Sequence, residues 1–174
     1  METHDPIPMS RRDILDFAML VRRRLGIQDS TTFVDVMTIL EHVLDKLYPD
    51  FTCDVQTRAE MGHRHGLTYP NKHLILLRED VYDGACMGRG RDRFTVAHEI
   101  AHLLMHEGVD PQYARKESGI AVPRYLDPEW QSDAFAGYFL MAPTAIRGMN
   151  AYDIANSCGV SFDAARVQLS VTKK

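Results

Sequence analysis

The sequence predicts an α+β protein, mostly helical, with a small, mainly antiparallel sheet and a helix-turn-helix-like helical element near its C-terminal end. Three observations carry this. Apolar residues recur at helical spacing in several long stretches. Three short strand-like runs cluster between residues 51 and 77. The tail then reads as two short helices broken by "CGVS". A chain of 174 residues, 45% hydrophobic and 25% charged, is about one domain's worth and can bury a core without metal or disulfide staples. Residues 1–174 are therefore expected to form a single domain, with 144–171 as its C-terminal helical element.

The elements follow in order. Ser10, with Asp13 three residues on, suits a helix N-cap; Ile14, Phe17, Ala18, Val21 and Leu25 continue at helical spacing, and Gly26 ends the run. Arg11, Arg12, Arg22, Arg23 and Arg24 lie around this helix and are expected to face solvent. A second helix fits "TFVDVMTILEHVLDKLYPDF", with Val34, Met37, Leu40, Leu44 and Leu47 on one face and Pro49 as its stop. "FTCDV", "HGLTY" and "HLILL" read as strands, the last two joined by a turn at "PNK". His63, His65 and His73 fall here as scattered surface histidines. "YDGACMGRGRDR" is expected to be a loop; it lacks the lysine and hydroxyl residue of a phosphate loop. From Arg93 to about His106 a helix is apolar nearly all round, as a buried central helix would be. Asp127 suits a cap and Pro128 a first turn, opening a helix through "EWQSDAFAGYFLMA" that stops at Pro143.

Composition narrows the function. A formal charge of −4 argues against a protein built mainly to coat nucleic acid. Three scattered cysteines, Cys53, Cys86 and Cys158, lack the spacing of a zinc knuckle or redox pair and read as reduced thiols. There is no secretory signal at "METHDPIPMSRRD" and no apolar run near the roughly 20 residues of a membrane helix. A cytoplasmic protein without membrane contact is expected.

The chemistry concentrates in "AHEIAHLLMHEG", residues 97–108. Residues four apart on an α-helix point within about 40° of each other, separated by roughly 6 Å of rise, so His98 and His102 can aim at one ion. Glu99 sits on the flank of that face, where it can reach a water without becoming a ligand. His106 stands about 12 Å of rise from His98 and is assigned a cap or dipole role at the helix end. The alternative for His98 and His102 is a hydrogen-bonded buried pair, but two imidazoles and a carboxylate in so apolar a helix are costly to bury without a counter-ion. A catalytic zinc site needs a third protein ligand. Glu129 and Asp133, four apart on the next long helix, supply the pattern in which a glutamate binds the metal and an aspartate one turn later orients a ligand histidine. Their alternative is an acidic helix start favoured by the dipole.

"RFTVAHEIAHLLMH" followed by "YLDPEWQSDAFAGYFLMAP" closely resembles the ImmA/IrrE metallo-endopeptidases, over roughly residues 30 to 170. The resemblance implies a gluzincin-like zincin fold, with His98, His102 and Glu129 as metal ligands, Glu99 as the catalytic glutamate and Asp133 behind a ligand histidine. Ser132 stands where alanine is usual and "MAP" replaces "LMP"; neither touches a ligand. The implied cofactor is Zn²⁺, with Mn²⁺ also open. Glu99 would take up a proton from water and pass it to the leaving amine. "HLILL" offers an edge on which an extended peptide can lie, and Tyr125 and Tyr138 are candidates to stabilise the oxyanion. The implied substrate is a regulatory protein, a helix-turn-helix repressor or antitoxin, whose cleavage relieves transcriptional repression in a phage, mobile-element or stress-response circuit. The alternative is a protein- or DNA-binding regulatory module with a structural or latent zinc site. "DIANSCGVSFDAARVQL" has only Arg166 as a basic residue in its second helix, so direct nucleic-acid binding is not expected.

Overall fold

Helix α1 (Arg11–Arg24) starts where its cap predicts: the Ser10 side chain accepts from the Asp13 amide and the Asp13 carboxylate accepts from the Ser10 amide. These belong to a computed structural model that describes residues 4–109 and 122–172. The expectation of an all-solvent arginine set on α1 fails at Arg22. That guanidinium is fully buried and donates to the carbonyls of Phe139 (2.6 Å), Gln28 (3.0 Å) and Thr31 (2.6 Å). It ties the loop after α1 to a helix from the far end of the chain, a role invisible in charge pattern.

The predicted second helix is shorter and broken. Asp35 caps α2 (Val36–His42), and a new turn, α3 (Leu44–Leu47), restarts after Val43. Val34, Met37, Leu40 and Leu44 are buried as expected, but Val34 precedes the helix and Leu47 is exposed. The break at Val43 turns the chain early and takes Leu47 off the shared face.

Three strands follow: β1 (Thr52–Gln56), β2 (Gly66–Tyr69) and β3 (Leu74–Arg78), with a capped single turn, α4 (Arg58–Met61), between the first two. The order is β1-β3-β2; β2 pairs antiparallel with β3, and β1 pairs parallel with it, so the small sheet is mixed. Alternation along β3 sends Ile75 and Leu77 into the core. One expectation is overturned here. "HLILL" is the central strand, hydrogen-bonded on both sides, and cannot be a docking edge; that edge belongs to β2.

The expected loop "YDGACMGRGRDR" is mostly helix. α5 (Glu79–Cys86) runs through its first half and α6 (Gly90–Met105) begins within its second. Glycine in a helix costs roughly 1 kcal/mol against alanine, but two of these are required by packing. A Cβ on Gly84 would collide with the Asp92 carboxylate, and one on Gly90 with the main chain of Val160 and Ser161.

α6 is the centre of the molecule. It packs on α7 (Pro128–Leu140), α2, α5 and the inner face of the sheet, while α1 covers the other side of α7. Asp127 caps α7 and Pro128 takes its first turn, as the sequence predicts. Ile100, Leu103, Phe135, Phe139 and Leu140 are buried to within 1% between these layers, each worth about 1.5–3 kcal/mol relative to exposure. Two short helices close the chain, α8 (Ala151–Cys158) and α9 (Phe162–Thr172). Gly159 turns between them at φ 62°, and Ser161 accepts from the Ala164 amide at the head of α9. Gln168 ties α9 to the carbonyl of Met141. No described helix is long and apolar enough to cross a membrane.

Candidate metal centre

Two helices and one strand edge build the site. α6 carries His98, Glu99 and His102 across its middle turns, and α7 brings Glu129 and Asp133 against them from its first two turns. The Asp127 carboxylate accepts from the Glu129 amide at 3.0 Å, so the cap fixes the backbone of the residue that must reach across. The helix dipole favours a carboxylate at that position.

His98 Nε2 lies 3.0 Å from His102 Nε2 and 3.4 Å from Glu129 Oε2, and His102 Nε2 lies 3.3 Å from Glu129 Oε1. Tetrahedral coordination with bonds of about 2.0–2.2 Å separates neighbouring ligand atoms by roughly 3.3–3.6 Å. The donor set therefore fits a divalent metal ion: two borderline nitrogens and one oxygen, within 4.8 Å of one another. Electrostatics point the same way. Burial alone lowers the pKa of the His98 imidazole, but Asp133, Glu129 and the charge of Glu99 outweigh it and push it up to about 10. Burial also works against the Glu129 carboxylate, yet the facing imidazoles of His102 and His98 hold it well below the usual carboxylate range.

Both candidate ligand histidines are held from behind. His98 Nδ1 bonds Asp133 Oδ1 at 2.9 Å. His102 Nδ1 meets His106 Nδ1 at 3.0 Å, and His106 Nε2 meets Gln131 Oε1 at 2.9 Å. The cap-or-dipole role expected for His106 is thus incomplete. It does stand at the C-cap of α6, but its ring turns inward, where burial and the neighbouring His102 push it down to about 4.

Glu99 is buried beside the ligands on the wall formed by β2. The Thr68 hydroxyl donates to Glu99 Oε2 at 2.6 Å, and a Cβ on Gly66 would lie 2.5 Å from Glu99 Oε1. Gly66 is therefore glycine because the carboxylate occupies the place of its side chain. Sequence reasoning misses both residues, since their role depends on a strand reaching the helix. Asp133, His98 and Glu129 converge as the spacing implies. Tyr125 and Tyr138 do not join them: Tyr138 is buried in the core and Tyr125 is 51% exposed outside the cleft. The tyrosine among the described residues lining the cleft is Tyr69. His63 lines the mouth, while His65 bonds Arg78 and Arg91, and His73 bonds Asp50.

The cleft itself, about 630 Å³, runs from His63 and Arg64 along Gly66–Tyr69 to Lys72, with His98, Glu99, His102 and Glu129 as its floor. The family model Peptidase_M78, described as IrrE N-terminal-like domain, matches residues 53–170, which include every residue of this floor. The chain belongs to that family. Membership in this IrrE-like peptidase family agrees with the resemblance read from the two motifs, and implies metallopeptidase activity with a bound metal. The mostly helical α+β architecture with its three-stranded sheet suits such a domain. No curated protein matches the chain.

Proposed function

We propose that this metallopeptidase is a zinc-dependent endopeptidase that cleaves a regulatory protein, a helix-turn-helix repressor or antitoxin, and so relieves repression in a phage, mobile-element or stress-response circuit. One observation carries the hydrolytic part: three candidate ligand atoms converge beside a separate, anchored carboxylate, at the floor of a cleft with, along one wall, a strand edge that pairs with no other strand among the described residues.

His98, His102 and Glu129 would hold the ion. Bound zinc acidifies water and polarises a carbonyl. The remaining work belongs to the chain. The outer edge of β2 offers main-chain donors and acceptors to an extended peptide, which aligns the scissile bond over Glu99. Glu99 accepts a proton from water at its carboxylate and later gives it to the departing amine. Thr68 donates to Oε2 and holds the carboxylate in one rotamer during both transfers. Arg64 and Lys72 stand exposed at the two ends of the cleft, placed to attract acidic side chains flanking the cleaved bond. The protein substrate itself is assigned from the family resemblance.

The test pairs the full chain with whichever small helix-turn-helix repressor its neighbouring genes prove to encode. Defined fragments should form with Zn²⁺ and disappear with a chelator. Glu99→Gln should keep its metal and lose at least about 100-fold in cleavage rate. Cleavage by that variant at the parental rate removes Glu99 from the role, and an intact repressor under all conditions removes the substrate assignment.

A further inference from the structure

We propose that His106 and Gln131 are positioning residues that fix His102 in its Nδ1–H tautomer, so that its Nε2 lone pair is permanently aimed at the metal position. The inference rests on the metal-binding reading above.

The chain of bonds is anchored at its far end. The Gln131 side-chain amide nitrogen donates to the carbonyls of Ile7 (2.9 Å) and Tyr125 (2.8 Å). Both amide hydrogens are thereby used. Flipping the amide would set its oxygen against two carbonyl oxygens, so only one orientation is viable. Gln131 Oε1 then faces His106 Nε2 at 2.9 Å and can only accept. His106 must carry its hydrogen on Nε2, which leaves Nδ1 bare. That bare nitrogen lies 3.0 Å from His102 Nδ1, so His102 donates there and keeps its own Nε2 unprotonated.

Burial makes the chain binding rather than optional. Gln131, His106 and His102 are 1%, 4% and 9% exposed, so no bulk water competes for these nitrogens. The two ligand histidines are consequently held by different chemistry. His98 leans on the Asp133 carboxylate, whose side chain is 63% exposed. His102 leans on a buried, uncharged relay that ends on main-chain carbonyls of the N-terminal segment and of the turn before α7. Partners behind a ligand histidine typically set 10–100-fold in metal affinity.

The experiment uses full-length protein in three variants: His106→Phe, Gln131→Leu and His106→Asn. Zinc affinity is read by competition with a chromophoric chelator, fold by far-ultraviolet circular dichroism, and the His102 tautomer by imidazole ¹⁵N NMR of metal-free protein. The first two variants should bind zinc roughly 10–100-fold more weakly, and His102 should show both tautomers instead of one. His106→Asn should recover most of the affinity, because its amide oxygen replaces the Nδ1 acceptor. Should His106→Phe not fold, Gln131→Leu and His106→Asn decide the question by the same readouts. Affinities within twofold of the parent, with His102 still a single tautomer in the relay-less variants, overturn the relay. A parent protein that binds no divalent ion overturns the metal reading instead; the metal-free tautomer then still decides the relay.

Discussion

At its first turn α6 buries the guanidinium of Arg93, which donates to the carbonyls of Gly159 (2.8 Å), Val34 (2.8 Å) and Cys158 (3.3 Å) beneath the ring of Phe33. Two turns later the same helix buries His102 and Glu99 and half-buries His98. The two ends treat polarity in opposite ways. Arg93 directs its hydrogens at fixed main-chain oxygens from two distant segments. The histidines and Glu129 turn their Nε2 and Oε atoms toward one another around a point that opens to a cleft. A buried polar group closed on backbone stabilises a fold, whereas nitrogen and oxygen atoms that converge on one point are suited to hold a cation. The contrast separates scaffold from site within a single helix.

The largest expected effect breaks the site end alone. Glu129→Ala should abolish stoichiometric metal on purification, while Asp133→Ala should weaken affinity only about 10–100-fold, measured by metal analysis and chelator competition. The reverse order would exchange the roles of the two carboxylates. Next, Arg93→Met should break the scaffold end. Three carbonyls lose their donor, and a buried group left unsatisfied costs about 1–3 kcal/mol; a net loss of about 3 kcal/mol in a denaturant titration is expected. Zinc affinity of the folded fraction should stay within twofold of the parent. A large fall in affinity there would show the two ends to be coupled. The smallest change sharpens the site end further. Gly66→Ala places a Cβ against Glu99 and should cut turnover by about 10–100-fold, as expected of a displacement near 1 Å, with the metal retained; unchanged turnover would mean that Glu99 has room to move aside.

The parts of this contrast that depend on spacing along one element are legible in the sequence. The four-residue step from His98 to His102, the equal step from Glu129 to Asp133, and the Asp127–Pro128 cap are enough to place the ligand pattern on two helices. What depends on contacts between distant segments is not legible. Arg22 and Arg93 resemble solvated helix charges until the carbonyls around them are known. Thr68 is an ordinary strand threonine until β2 passes beside Glu99. α5 reads as loop because Gly84, Gly88 and Gly90 mimic turn punctuation, although the first and last are small to admit Asp92 and the Val160–Ser161 main chain. The sheet order is hidden for a related reason: the apolar strength of "HLILL" marks a central strand, paired on both sides, only once its neighbours are known.

The close seating of Gly90 on Val160 and Ser161 has a practical consequence for anyone remodelling this protein. His98 lies only about 12 Å further along the same helix. Lengthening the hairpin bend at Gly159 would press on the first turn of α6, and so on the helix that carries the ligand face, with no substitution near the cleft.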